Sequence, residues 1–160
     1  MNAASGGEVQ LGHGRIAVGL ALFLGLWAAS GPTAVGATLK RGVVEIRGTA
    51  IEVEIVDTPE ARARGLSGRD RLGSRQGMLF LFEEPDLHTF WMKDMRFALD
   101  FIWIREGRIV DLTQNVPPPR PGETLRTYTP GQRADTVLEM TAGSVRRLGL
   151  RVGDAVRLRP

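Results

Sequence analysis

The eight residues His88–Met95, reading HTFWMKDM, concentrate side chains that suit chemistry. They bring an imidazole, an indole, two thioethers, one of the chain's two lysines and a carboxylate into one short stretch. Three chemistries are open to them. Trp91 beside Lys93 can floor a shallow rim pocket, with Asp94, Asp100, Asn115 and Arg69 as further polar groups; such pockets take small polar or carbohydrate-like ligands. His88, Met92 and Met95 are borderline to soft ligands that suit Cu(I) in a periplasmic copper-binding protein. Asp94, Asp100 and Lys93 would serve a hydrolase or transferase.

Spacing sorts these readings. In a regular strand His88, Phe90, Met92 and Asp94 share one face, and Thr89, Trp91, Lys93 and Met95 the other. That alternation divides the metal trio unless a bulge at Lys93–Asp94 rotates the chain. It also puts the cation on the tryptophan's side. Methionine in an aromatic-rich strand is most often core filling, and zinc lacks its usual cysteine or paired histidine ligands. Nucleophilic catalysis has little to work with: there is no Cys, His88 is the one histidine beyond residue 37, and Ser67, Ser74 and Ser144 lie in no G-x-S-x-G elbow. Asp100, flanked by Leu99, Phe101 and Ile102, is expected to be buried and to need a partner, for instance Arg69 or Lys93. Only Lys40 and Lys93 are lysines, against 19 arginines, so Lys93 marks a place where a compact ammonium serves better than a planar fork.

Charge excludes one large class of partner. The net charge is only +3 over 160 residues, and the arginines are interspersed with acids, so no basic stripe for nucleic acid appears. The N-terminus speaks to location. Arg15 precedes the uncharged run Ile16–Ala29, and Pro32 and small residues follow, with a processing site expected after Ala37. These are the parts of a secretory signal. The run of 14 residues is shorter than the roughly 20 a spanning helix needs. Residues 1–37 are therefore read as a signal peptide, with an uncleaved membrane anchor over 16–29 as the alternative and the only expected tie to a membrane. Residues 38–160 form one domain, expected outside the cytoplasm, with a mature start near Thr38.

The elements that must position these side chains are mostly strands. VVEIRGTAIEVEIVD, residues 43–57, alternates apolar and charged residues and turns at Gly48, predicting a hairpin. DTPEARARGLSG predicts a two-turn helix, with Asp57 or Thr58 capping, Pro59 in the first turn and Gly65 at the end. Seven of the eight aromatics beyond residue 37 lie between Gly77 and Ile104, where GMLFLF and LDFIWI read as strands buried on both faces. REGR closes a hairpin into RIVDLTQN, VPPPRPGE is a loop, and TLRTYT an edge strand. DTVLEM is a strand, TAGSVRRLG a short helix, and DAVRL a last strand. The expected fold is mainly β: a compact antiparallel sandwich or barrel of about eight short strands with two short helices.

VDTPEARARGLSGR, GMLFLF, FWMKDM, LDFIWI, IVDLTQNVPP and VLEM…G…LGLRVGDAV occur in that order, and over residues 43–159 the chain resembles the DUF192 (UPF0127) family. The resemblance implies a compact β-rich fold and no established reaction. The family's central block reads FWMKNT, so Asp94 stands here for Asn and Met95 for Thr. The reading reached from the sequence is an exported binding module for a small polar or carbohydrate-like ligand, with no cofactor required and no oligomeric state specified. The Cu(I) protein and the Asp/Lys hydrolase or transferase are the alternatives.

Overall fold

A computed structural model describes residues 39–159. The leader expected over residues 1–37 lies outside them. No helix among the described residues is long and apolar enough to cross a membrane.

The fold is mainly β. In chain order it runs β1 (Lys40–Ile46), β2 (Thr49–Val56), α1 (Pro59–Arg64), β3 (Gln76–Asp86), β4 (Phe90–Trp91), β5 (Leu99–Arg105), β6 (Arg108–Val116), β7 (Thr127–Tyr128), β8 (Ala134–Thr141), α2 (Ser144–Leu148) and β9 (Val156–Arg159). Seven strands make one sheet in the order β6-β5-β8-β3-β2-β1-β9, and β4 pairs with β7 apart from it. Turn chemistry sets the hairpins. Arg47 and Gly48 both have positive φ, as do Glu106 and Gly107, and two-residue turns of that hand match the twist of the strands they join.

The sheet departs from the expected all-antiparallel pattern at one place. β2 and β3 run parallel, Glu52 opposite Gln76 through Val56 opposite Phe80. The reason is α1. The link from Asp57 to Arg75 is long enough for a crossover and carries a helix, which a parallel pair needs. Thr58 caps that helix by accepting the Ala61 N–H at 3.2 Å.

The sheet curls until its edges meet at one end. Ile109 N–H donates to the Asp154 carbonyl at 3.0 Å, and Val156 N–H to the Gly107 carbonyl at 2.8 Å, tying β6 to the start of β9. The result is a half-closed barrel with two cores. The inner face is aliphatic: Val44, Ile51, Val53, Leu79, Ile102, Ile104 and Leu138 meet there, with Val145 and Leu150 from the α2 region. The outer face is aromatic and sulfur-rich: Met78, Phe80, Phe101 and Trp103, covered by Leu66, Met92 and Met95. Because β3, β5 and β8 lie inside the sheet and are covered on both faces, their sequences read as apolar runs, interrupted by Asp100 in β5 and Glu139 in β8.

Candidate functional site

The HTFWMKDM segment is not a regular strand. Only Phe90 and Trp91 pair, with Tyr128 and Thr127. The chain then turns: Met95 N–H donates to the Met92 carbonyl at 3.2 Å, and Asp94 has φ +56°. The loop after α1 holds this turn, with Ser67 Oγ donating to the Lys93 carbonyl and Gly68 N–H to the Asp94 carbonyl, each at 2.9 Å. A left-handed residue breaks the period of two. Met92 and Met95, expected on opposite faces, are both buried in the aromatic core. The side chain of residue 94 is exposed, so what this position requires is tolerance of the left-handed region. Asp and Asn share that tolerance, which gives Asp94 a backbone reason for standing where the family block has Asn.

The turn forms one wall of a groove of about 220 Å³. The end of α1 and its loop form the opposite wall, through Arg62, Arg64 and Ser67, and Phe80 and Phe82 of β3 form the floor. Gly65 lets α1 end against that floor: its φ is +50°, and a Cβ there would lie 3.4 Å from Phe80 Cζ. The aromatic rings support one another. Phe90 meets Phe80 edge-on at 5.0 Å and Trp103 at 5.3 Å between centroids, geometries that suit the ring quadrupoles. His88 stacks on Phe82 at 3.6 Å and 15°, and the Arg62 guanidinium carbon lies 4.9 Å from the same ring's centre. Trp91, also lining the groove, is 51% exposed, whereas Trp103 is fully buried.

None of the polar residues expected to converge with Trp91, namely Arg69, Lys93, Asp94, Asp100 and Asn115, lines this groove. Asp100 is fully buried, and its carboxylate accepts the Asn115 N–H at 2.8 Å and the Val145 N–H at 2.9 Å. It therefore caps α2 from a neighbouring strand, since Gly143 at the helix start has no side chain to do so. Its partners are backbone amides, not Arg69 or Lys93. Asn115 contributes its amide from an exposed position at φ +56°, and Lys93 is exposed on the turn. Arg69 forms a two-pronged ion pair with Glu54 and lines a different concavity, with Arg41 and Arg71. That pairing holds the Glu54 carboxyl below its ordinary range. Asp94 lies beside Arg96 in a third, shallow concavity. Of the metal candidates, His88 and Met95 line the groove; His88 Nε2 lies 3.3 Å from the Glu84 carbonyl oxygen. Among the described residues, no three His, Asp or Glu side chains are placed to hold a metal ion.

Sequence reasoning missed two chemically important residues. Arg62 is one of several arginines on a short helix, and nothing in the spacing separates it from its neighbours. Glu139 lies on β8 between Met78 and Phe101 in register, facing the aromatic core, and is only 4% exposed. Burial pushes its carboxyl up to about 8. Its signal was legible: an acid inside the apolar run VLEM, as Asp100 is inside LDFIWI.

A half-closed β-barrel with a covered outer face and an aromatic groove defines a small β-rich domain class. The family model DUF192, described as "Uncharacterized ACR", matches residues 42–158, and the chain belongs to that family. Two solved structures are similar to it. One, a candidate transcription regulator from Sinorhizobium meliloti 1021, is 29% identical with a TM-score of 0.68, over 76% of this chain and 95% of that one. The other, a protein of unknown function from Novosphingobium aromaticivorans DSM 12444, is 31% identical with a TM-score of 0.67, over 81% and 94%. No curated protein matches the chain.

Proposed function

We propose that the domain is a binding module for a small ligand with one flat apolar face, held in the groove between α1 and the Phe90–Met95 segment. A planar ring and the flat face of a sugar both meet that description. The observation that carries the reading is Trp91. Its indole is half-exposed on a groove whose floor is packed rings, and a large apolar side chain left in water beside such a concavity gains by covering a ligand. Rigidity supports the same reading. The edge-on contacts of Phe90 with Phe80 and Trp103 and the two bonds from Ser67 and Gly68 fix the walls before any ligand arrives, so little ordering is needed on binding.

Binding is favoured over turnover because the groups expected to do acid–base work are held apart. Asp100 spends both oxygens on backbone amides, while Lys93 and Asp94 sit exposed on a turn. The test is a thermal-shift screen of flat small molecules, sugars included, against the wild type and Trp91→Ala. A ligand that binds the folded state raises the melting temperature. The expected result is a shift that Trp91→Ala removes. An undiminished shift in that variant would refute the groove as the site.

A further inference from the structure

We infer that the ligand of this groove is a small aromatic carboxylate, held by its charge at Arg62 and Arg64. This rests on the groove being the binding site and names the class of molecule it takes. Three observations lead there. First, among the described residues, the ionisable side chains lining the groove are Arg62, Arg64 and His88, and no carboxylate lines it. Of the neighbouring acids, Asp57 pairs with Lys40 at 2.7 Å, and Glu60 lines the next concavity along the helix, which Arg64 also borders. Neither Arg62 nor Arg64 has a carboxylate within ion-pair distance among the described residues.

Second, Arg62 is held ready. Its Nη1 donates to the carbonyls of Asp57 at 2.9 Å and Leu81 at 2.7 Å, and its guanidinium lies against Phe82. One nitrogen and one aromatic contact fix the plane, and Nη2 and Nε keep their donors for a ligand. A guanidinium is a rigid fork matched to carboxylate oxygens, and pre-organisation lowers what a bound anion must order. Arg62 is partly buried and, among the described residues, forms no ion pair.

Third, the rest of the lining is mostly apolar and rich in rings, with Phe80, Phe82, Phe90 and Trp91 among it. A sugar acid needs several partners for its hydroxyls, and the groove offers two hydroxyl side chains, Ser67 and Thr89. Ser67 Oγ is already spent on the Lys93 carbonyl. A single aromatic ring fits a dry cavity of roughly 150 Å³, so about 220 Å³ holds one ring with a short acid arm. The ring would lie against Phe90 beneath Trp91, and the carboxylate at Arg62, since Phe82 already carries His88 and the Arg62 guanidinium.

The experiment is calorimetric titration of the domain with phenylacetate, 2-phenylethanol and glucuronate at low salt. It is repeated on Arg62→Gln and Arg64→Gln, with circular dichroism and melting temperature confirming the fold. Phenylacetate is expected to bind at least tenfold tighter than 2-phenylethanol, and each substitution to narrow that ratio. Arg64 is exposed and makes no side-chain hydrogen bond among the described residues, so Arg64→Gln keeps the test usable if Arg62→Gln unfolds. Equal affinity for acid and alcohol would overturn the charge assignment while leaving the groove as a site. Tighter binding of glucuronate than of phenylacetate would overturn the aromatic assignment. Failure of all three to bind at millimolar concentration would take down the inference and count against the groove itself.

Discussion

Replacing Glu139 by Gln should stabilise this domain at neutral pH and flatten its dependence on pH. Glu139 is on the central strand β8, flanked in register by Met78 and Phe101 and facing a core of rings and thioethers. The same row of the sheet carries Glu54, beyond Met78, but that carboxylate has Arg69 as its ion-pair partner. No ion pair reaches Glu139 among the described residues. Burial alone moves its carboxyl from an ordinary 4.5 to about 8, because an unpaired carboxylate loses its hydration there and gains nothing in exchange.

The sign follows from proton counting. The folded chain holds this proton until about pH 8, and the unfolded chain releases it near 4.5. The stability tied to the protonated form is therefore complete below about 4.5 and is lost as pH rises to about 8. Each pH unit in that window costs about 1.4 kcal/mol, which gives about 3 kcal/mol by pH 7 and about 5 kcal/mol at pH 8 and above. Glu54 and Asp57, whose folded carboxyls are lowered, act oppositely and at the acid end, where stability falls as pH drops through their folded values. The assay is urea unfolding of wild type and Glu139→Gln at pH 5, 7 and 8.5. Subtracting one protein from the other cancels every group but this one. The gap should be small at pH 5 and widen by several kcal/mol toward pH 8.5. A gap that stays constant over that range would refute the reasoning, because Glu139 would then be ionised in the folded state with its charge met.

Two further predictions rest on backbone geometry. Asp100→Ala strips the acceptor from two backbone N–H groups, at Asn115 and Val145, so it should cost about 2–5 kcal/mol in urea unfolding and speed hydrogen exchange at both amides. Asp94→Val should cost about 1–2 kcal/mol and Asp94→Gly close to nothing, since φ +56° penalises a β-branched side chain and not glycine; equal effects of the two changes would mean that the turn relaxes.

The parts of the fold set by local chemistry were legible in the sequence. Arg47–Gly48 and Glu106–Gly107 are turn dipeptides, the Thr58–Pro59 start and Gly65 end bound α1, and the apolar runs of β3 and β5 mark strands covered on both faces. The parallel β2–β3 pair was not, because a six-residue helix in a long link does not look like a crossover until β3 is seen beside β2. The site was half legible. The segment around Trp91 is where the groove lies, but period-two reasoning assigned its faces wrongly once Asp94 took a left-handed conformation. Arg62 could not be found at all. Its importance comes from two carbonyls and a ring that belong to residues up to twenty positions away, and one carbonyl lies across a strand boundary.

The two unusual acids of the core show how similar sequence contexts lead to opposite chemistry. Asp100 and Glu139 each interrupt an apolar strand on neighbouring central strands, β5 and β8, with Asp100 opposite Met140 and Glu139 opposite Phe101. They face opposite sides of the sheet. Asp100 points to the inner side where α2 begins, and the free amides of a helix start accept a carboxylate, so its burial is compensated. Glu139 points to the outer side, among rings and thioethers that offer no donors of comparable strength, so its burial is opposed and the proton stays. A single residue of register decides between a structural cap and a neutral acid. The same outer core supports the groove floor through Phe80 and Phe90, so a charge forced onto Glu139 would fall in the cluster on which that floor rests.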